Sequence, residues 1–262
     1  MHSVAKSSPV KTDSLRLLSY NIQGGITTQA YHHYLIKSWQ HVLPHPHKQN
    51  NLDHVAKLLS EYDIVGLQET DAGSFRSNYM NQTEYLASKA HFPYWFDQIN
   101  RNMGKIAQHS NGLLSRYKPV DVIEHKLPGL IPGRGALMAK FDLSGQQIAV
   151  ITAHLSLGKK TRMNQIGFLS ELIRSEKNVV LMGDLNCETD SPEMEYLFKK
   201  THMSEPQGKP HTFPSWQPKR NIDHILISEG LKIKEVKVLR QGVSDHLPVS
   251  IDIKLTGKYV KL

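Results

Sequence analysis

Several apolar runs of this sequence end in side chains that can bind a metal ion or move a proton. These side chains carry carboxylate, amide or imidazole groups, and they are Asn21, Glu69, His154, Asp184, Asn186, Asp245 and His246. The run 179–182, for example, stops at Gly183 and leads directly into Asp184. One polar strand end is usually a turn, but strand ends at one edge of a sheet can meet in one pocket. Five such ends in one chain therefore predict a common site.

These residue types suit the hydrolysis of a phosphate ester. The hard carboxylate oxygens of Glu69 and Asp245 fit Mg²⁺ or Mn²⁺, whereas zinc would favour more histidine or cysteine ligands. A metal ion neutralises phosphate charge, and a His–Asp pair can orient and deprotonate a water molecule. Histidine and amide side chains can hold the phosphate oxygens on which charge develops. A hydrolytic mechanism that uses these groups needs neither a cysteine nor a serine nucleophile.

The composition limits the class of protein and its partners. The chain has 262 residues and a formal net charge of +8, and its isoelectric point is about 9.4. The charge indicates a polyanionic or phosphate-bearing partner, although a merely solvated basic surface remains an alternative. The single cysteine, Cys187, excludes an internal disulfide framework, and no apolar run approaches the ~20 residues of a membrane span. A cytoplasmic, monomeric protein is therefore the expectation.

The elements that must position these residues are many strands and few helices. Apolar periodicity predicts helices over 51–60 and 164–175, and Ser191 with Pro192 predicts the start of a helix that runs to Lys200. The predicted strands are 15–22, 64–68, 112–115, 136–141, 148–154, 179–182, 222–227, 233–239 and 249–255. Such a content favours two packed sheets with helices on the outer faces. The alternation of residues 232–239 predicts an edge strand.

The domain organisation follows from the absence of a composition break. Residues 1–13 are polar and are predicted to be a disordered lead-in, and 14–262 are predicted to be one domain. The segment 26–50 holds His32, His33, His41, His45 and His47. Its spacing matches no structural zinc pattern, which favours a loop or short helix over the active face rather than a metal site.

The motifs as a set resemble a known family. In chain order they are LSYNIQGG, GLQET, NGLLSRY, TAHLS, GDLNCE, NIDHILIS and SDHLPV, and they extend from about residue 15 to 255. This order resembles the endonuclease/exonuclease/phosphatase superfamily with its DNase I-like fold, in a small bacterial-type member. The resemblance implies an α+β protein with a four-layer α/β/β/α sandwich of two mixed β-sheets flanked by helices.

The resemblance also implies a metal centre that binds Mg²⁺ or Mn²⁺. Glu69 looks like the principal metal ligand, Asn21 like its helper, and Asp245 like a further acidic contributor. Arg134 lies where related nucleases place an arginine that contacts phosphate, with a simple turn residue as the alternative. Asn111, beside the strand 112–115, is expected near the pocket as a second phosphate contact.

The remaining site residues are similar to the family's catalytic groups. Asp184 would orient the attacking water or bind a second metal ion, and Asn186 would bind a phosphate oxygen. His246 would act as a general base or transition-state stabiliser, with Asp223 fixing its tautomer. His154 matches a histidine that nuclease- and sphingomyelinase-like branches place against the scissile phosphate.

Three functions follow from these observations. The first is a metal-dependent phosphodiesterase that cleaves a phosphodiester substrate, possibly a nucleic acid, by in-line attack of an activated water. Basic residues at Lys159, Lys160 and Arg162 are candidate contacts for a nucleic-acid backbone. The second is a phosphodiesterase for phospholipid or lipid-linked head groups. The third is a non-catalytic binding module, against which the intact set of acidic and imidazole groups argues.

Overall fold

Two six-stranded β-sheets lie face to face in the computed structural model, which describes residues 12–26, 46–102, 104, 106–129, 133–206 and 210–255. The first sheet has the order β11-β12-β1-β2-β4-β3. Its strands are β1 (Ser14–Asn21), β2 (Ile64–Asp71), β3 (Tyr94–Asn102), β4 (Gln108–Ser115), β11 (Lys232–Val238) and β12 (Val249–Lys254). Strands β1 and β2 are parallel and the other neighbours are antiparallel, so the sheet is mixed.

The second sheet is built in the same way. Its order is β5-β6-β7-β8-β10-β9. The strands are β5 (Asp121–Lys126), β6 (Gly135–Leu143), β7 (Gln146–His154), β8 (Val179–Asp184), β9 (Met203–Ser204) and β10 (Asp223–Ser228). Here β7 and β8 form the parallel pair. The predicted fold class, two mixed sheets in an α+β sandwich of the DNase I type, is confirmed.

Helices cover the outer face of each sheet. They are α1 (Pro46–Leu59), α2 (Gln82–Lys89), α3 (Lys159–Arg174) and α4 (Pro192–Lys200). Leu52, Val55 and Leu59 of α1 pack on the first sheet, and Ile166 and Leu169 of α3 pack on the second. A third apolar layer lies between the sheets, so the chain forms four layers around three buried clusters. None of these helices has the length and apolar character that a membrane crossing requires.

The local signals in the sequence identified most of these elements. The Ser191 hydroxyl accepts a hydrogen bond from the backbone N–H of Met194, and Pro192 begins α4, as predicted. Strand β11 lies at a sheet edge, as its alternation indicated. Strands β3, β5 and β9 and helix α2 were not predicted. Strand β5 is half-exposed and polar, and α2 begins at a cap, Asn81, that lies inside a polar stretch.

Part of the predicted organisation lies outside the described residues. The lead-in 1–13 is described only at residues 12 and 13. Of the segment 26–50, residues 27–45 are not described, and the rest of it after residue 45 belongs to α1. The interpretation of 14–262 as one domain stays a prediction.

The two parallel pairs bring catalytic candidates to one edge of the sandwich. Asn21 at the end of β1 pairs with Gln68, and His154 at the end of β7 pairs with Asp184. Gly183 makes this register possible. A β-carbon at Gly183 would lie 1.8 Å from the carbonyl oxygen of Ala153, and its φ of +148° is one that other residues rarely adopt.

Replacing Gly183 by alanine is therefore expected to destabilise the protein. The clash and the unfavourable φ should cost about 2 kcal/mol or more, which corresponds to a Tm lower by roughly 4–8 °C. The matched control is Gly167→Ala in α3, where a β-carbon meets nothing within 4 Å. There, helix propensity should raise stability by about 1 kcal/mol. Thermal unfolding of both variants tests the pair, and an unchanged Tm for Gly183→Ala would contradict the packing.

Candidate active site

The candidate site is assembled from strand ends of both sheets. On the second sheet, His154, Asp184 and Asp223 lie side by side in register on β7, β8 and β10. On the first sheet, Asn21 ends β1 and Glu69 lies near the end of β2. The backbone register thus places His154, Asp184 and Asp223 together at one edge of the second sheet.

The loop before β12 completes the cluster with Asp245 and His246. Strand β12 is antiparallel to β1, so its beginning lies at the edge where β1 ends. The buried hydroxyl of Tyr20 accepts hydrogen bonds from the backbone N–H groups of Val243 and Ser244, at 2.9 and 3.2 Å. This side chain holds the loop against the first sheet and so positions the two residues that follow.

Glu69 projects from an irregularity in β2. The register shifts between Leu67 and Thr70, and Glu69 has a φ of +56°. Bulges of this kind re-aim a side chain, and a positive φ at a residue other than glycine is a strained conformation common at functional sites. The side chain is 34% exposed, whereas its neighbours Gln68 and Thr70 are fully buried. The irregularity therefore turns one carboxylate of a buried strand toward the cavity.

The carboxylate of Asp184 is the centre of the hydrogen-bond network. Its Oδ2 accepts a hydrogen bond of 3.1 Å from the amide of Asn21 across the sheets, and its Oδ1 accepts one of 3.0 Å from the backbone N–H of Asn186. His154 Nε2 lies 3.4 Å from Oδ2. Burial, reinforced by the charges of Asp223 and Glu69, raises the pKa of Asp184 to about 7, against the opposing effect of His246.

His246 and Asp223 form a buried pair. His246 Nδ1 lies 2.9 and 3.0 Å from the two carboxylate oxygens of Asp223, and the hydroxyl of Thr212 donates a further bond of 2.6 Å to Asp223. Burial by itself would lower the pKa of His246, but the carboxylates of Asp223 and Asp184 raise it to about 10. The imidazole is therefore protonated at neutral pH, with Nε2 located 3.8 Å from Asp184.

His154 has the opposite electrostatic environment. Its Nδ1 lies 2.9 Å from Nη1 of Arg134. A guanidinium can only donate, so Nδ1 is the acceptor and Nε2 carries the proton, toward Asp184. Burial and the charge of Arg134 hold the pKa of His154 well below its usual range. His154 is thus a neutral donor, and its Nδ1 faces an arginine rather than a carboxylate.

Two predicted phosphate contacts, Asn186 and Asn111, use their amide nitrogens within the protein. Asn186, at a φ of +53°, donates to the carbonyl of Leu155, and Asn111 donates to the carbonyl of Gly135, each at 3.0 Å. The buried Oδ1 of Asn111 has no partner among the described residues. This oxygen suits a hydroxyl or water donor better than a phosphate oxygen.

A cavity of about 570 Å³ opens beside this network. Glu69, Asn111, Arg134 and His154 line it together with Arg101, His109 and the segment 156–158. Arg101 and His109 were missed by the sequence analysis. Arg101 lies on β3, a strand that was not predicted, so no strand-end signal pointed to it.

Arg162 does not face this cavity as a free cation, which corrects the expectation that it contacts a nucleic-acid backbone. It is buried, and its guanidinium donates to Glu193 at 2.7 and 3.1 Å. It also donates to the carbonyls of Ser156 and Leu157, so it supports the cavity wall. Lys159 and Lys160 are exposed at the start of α3.

The charges of the site fit a divalent cation. Four carboxylates, those of Glu69, Asp184, Asp223 and Asp245, belong to this edge of the sandwich. Burial raises the pKa of Glu69 as well, and Asp245 adds to the rise while His246 and Arg134 oppose it. One combination of ligand atoms, from Asp184, Asp223 and His246, lies within 4.8 Å of one another. Oxygen ligands with excess negative charge are the donor set that Mg²⁺ and Mn²⁺ prefer.

Cys187 lies next to these residues but takes no part in the network. It is buried, and burial raises the pKa of its thiol to about 11. At neutral pH the thiol therefore stays protonated and does not form the thiolate that a cysteine nucleophile requires. A mechanism based on a water nucleophile is consistent with this environment.

Comparison with known proteins supports this picture. A sequence model of the Endonuclease/Exonuclease/phosphatase family matches residues 18–246. A search of curated proteins found no significant match.

Solved structures with this fold include an endonuclease/exonuclease/phosphatase from Beutenbergia cavernae DSM 12333, with a TM-score of 0.72 and 20% identity over 93% of this chain and 72% of that one. A mannosyl-6-phosphatase from Bacteroides thetaiotaomicron VPI-5482 matches with a TM-score of 0.68 and 17% identity, over 91% and 99%. ANGEL2, a 2′,3′-cyclic phosphatase, matches with a TM-score of 0.70 and 14% identity, over 93% and 96%. At these identities the likeness establishes the fold.

The His246–Asp223 pair should behave as one unit in catalysis. His246→Ala and Asp223→Ala are each expected to lower kcat for a chromogenic phosphoester by ~10²–10³-fold, the scale for the loss of one preorganised transition-state donor. The double variant should be little worse than His246→Ala, because Asp223 has nothing to orient once the imidazole is gone. Asp121→Ala, which removes an exposed carboxylate on β5, is the control and should retain activity. If the two single losses multiply in the double variant, the pair does not act as a unit.

Proposed function

Because the chain belongs to the endonuclease/exonuclease/phosphatase family, we propose that it is a divalent-metal-dependent phosphodiesterase. Members of this family hydrolyse phosphoesters. The observation that carries the proposal is the convergence of Glu69 and Asn21 from one sheet with His154, Asp184 and Asp223 from the other. Related structures include both a mannosyl-6-phosphatase and a 2′,3′-cyclic phosphatase, so membership alone leaves the type of ester open.

Glu69, Asn21 and Asp245 are the proposed ligands of Mg²⁺ or Mn²⁺. The Glu69 side chain is partly exposed and faces the cavity, whereas Asp245 is buried. A bound divalent cation supplies charge neutralisation at the phosphate and at the leaving oxygen. The alternative set of Asp184, Asp223 and His246 is less suitable, because the His246 imidazole already shares its proton with Asp223.

Asp184 is the proposed acceptor of the proton from the attacking water. Its raised pKa, about 7, lies near the ordinary operating pH, which is the favourable range for a general base. The water oxygen forms a bond to phosphorus as the bond from phosphorus to the leaving oxygen breaks on the opposite side. The side chain of Asn186 lies beside this carboxylate; one N–H of its amide donates to the carbonyl of Leu155, and the second would contact a phosphate oxygen.

The two histidines have distinct roles in this mechanism. His246 is held protonated by Asp223, so it acts as a charged donor to a non-bridging oxygen rather than as a base. His154 is neutral and donates through Nε2, because Arg134 occupies its Nδ1. Both donors are preorganised by buried contacts, which makes them effective where charge develops in the transition state.

A nucleic acid is the substrate that the overall charge favours. The chain carries a net charge of +8, and Lys159 and Lys160 are exposed next to the cavity wall formed by 156–158. One observation favours a lipid-linked phosphodiester instead: Leu157, which lines the cavity, is 77% exposed. An apolar side chain at this place would suit an acyl chain or a membrane surface.

The activity is expected to depend strictly on Mg²⁺ or Mn²⁺. EDTA should abolish turnover of a chromogenic phosphodiester, and Glu69→Gln should raise the metal concentration required for half-maximal rate. Glu124→Gln, an isosteric change at an exposed residue of β5, is the matched control and should leave the metal dependence unaltered. Full activity in metal-free buffer would exclude the mechanism.

Salt dependence of binding should separate the two substrate classes. Inactive Asp184→Asn protein is expected to bind an oligonucleotide with a log–log slope of about −0.7 to −0.9 per phosphate contacted. The double variant Lys159→Gln, Lys160→Gln should have a shallower slope, reduced by the amount expected for the loss of one or two phosphate contacts. Lys177→Gln, just beyond the far end of α3, should leave the slope unchanged. A flat slope would instead favour a substrate with a single phosphate, such as a lipid head group.

A further inference from the structure

A second group of basic and polar side chains lies in the same cavity as the proposed site. Besides Glu69 and His154, the cavity is lined by Asn100, Arg101, His109 and Thr161, with Arg134 between the two groups. Glu69 is the only carboxylate among the described residues that line it. The proposed mechanism uses only the part next to Glu69 and His154, and it assigns no role to the rest.

Arg101 is placed in the cavity by a close contact between the two sheets. A β-carbon at Gly133 would lie 3.2 Å from Cβ and 3.4 Å from Cδ of Arg101. The aliphatic part of the Arg101 side chain therefore packs directly against the backbone at Gly133. Two residues later, a β-carbon at Gly135 would lie 2.1 Å from the amide oxygen of Asn100. The two glycines flank Arg134, so β3 and the start of β6 fix both arginines together.

No carboxylate of the described residues forms an ion pair with Arg101. Asp71, at the end of β2 and separated from β3 by β4, is already compensated by Arg76, by the hydroxyls of Ser74 and Ser77 and by backbone N–H groups. Burial would raise the pKa of Asp71, but these bonds lower it to about 2. The charge of Asp71 is therefore neutralised locally and does not offset the cavity arginines.

His109 adds a neutral polar group to this wall. Its ring nitrogens lie 3.4 and 3.5 Å from the guanidinium of Arg76. Burial lowers the pKa of His109 to about 4, and the charges of Arg76, Arg101 and Arg134 contribute in the same direction. Arg101, Arg134 and His109 line the same cavity, so two guanidinium groups and a polar imidazole share this wall.

We propose that Arg101, together with Arg134 and the polar groups of Asn100 and Thr161, forms a subsite for a second, non-scissile phosphate of the substrate. Guanidinium groups bind phosphate through paired N–H donors, and the cavity volume of about 570 Å³ is in the range of small-ligand pockets. This proposal depends on the proposed function in one respect: the other phosphate of the substrate, bound near Glu69 and His154, is the one that is cleaved. The second phosphate is either the next one of a nucleotide chain or a terminal phosphate on a small or lipid-derived ester.

Paired substrates test the subsite and distinguish these sources. One pair is a dinucleotide with and without a terminal 5′-phosphate, and the other is a diglycerol phosphodiester with and without a terminal phosphate. The wild-type protein should prefer the phosphorylated member of at least one pair by about 10- to 100-fold in kcat/KM. Preference in the first pair alone identifies a nucleotide chain, and preference in both identifies the phosphate itself.

Arg101→Gln should reduce that preference to less than about threefold, and Arg101→Lys should restore part of it because it keeps the charge without the paired donors. The matched control is Arg16→Gln, which should keep the wild-type preference. Arg16 is exposed and lies near the start of β1, whereas Asn21 ends that strand. Equal kcat/KM within both pairs, with turnover intact, would overturn the subsite and leave the proposed function standing.

Binding of inorganic pyrophosphate in EDTA, measured by calorimetry, provides a readout without catalysis. Arg101→Gln should weaken this binding by at least about fivefold relative to Arg16→Gln. If none of the four esters is hydrolysed with Mg²⁺ or Mn²⁺, the proposed function fails, and the pyrophosphate measurement alone decides the subsite. Equal affinities of the two variants for pyrophosphate would overturn it.

Discussion

The hydrogen bond between Asn21 and Asp184 joins the two sheets at the point where the chemistry would occur. The donors on Asp184 come from both sides of the sandwich, since Asn21 ends β1 while Asn186 and His154 belong to the second sheet. Asp184 is also buried, so its carboxylate depends on these donors rather than on water. The position of the proposed base therefore depends on the packing between the sheets as well as on strand β8, which carries it.

The spacing of the sheets is set by small residues behind the site. Gly66 of β2 leaves room for the side chains of Thr152 and Met182, since a β-carbon there would lie 2.8 and 2.7 Å from them. Two residues further toward the site, the amide of Gln68 donates to the hydroxyl of Thr152 at 3.0 Å. These contacts hold the β2 irregularity with Glu69 opposite the end of β7. Rigid packing of this kind is what preorganised catalytic groups require.

The sequence predicted the strand ends well because a buried parallel strand is a nearly continuous apolar run, and its end is visible where polar residues begin. It did not reveal Arg101 or His109, because these residues acquire a common role only through strand pairing. Strand β3 is mixed in character, so its existence depends on β4 and not on its own pattern. The guanidinium partner of His154 was likewise invisible, since it is fixed by contact between separate strands.

The chain order of the network has a consequence for the protein during its synthesis. The hydroxyl of Tyr20 contacts the backbone N–H of Val243, 223 residues further along the chain, and β12, which follows this contact, lies between β1 and β11. Long-range pairings of this kind form late, because the loop they close must first be ordered. A nascent chain shorter than about residue 246 holds most of the acidic groups but neither His246 nor the strand that locks its loop. Hydrolytic competence would therefore arise late in folding, after the loop that carries His246 has docked on Tyr20 and β12 has paired with β1.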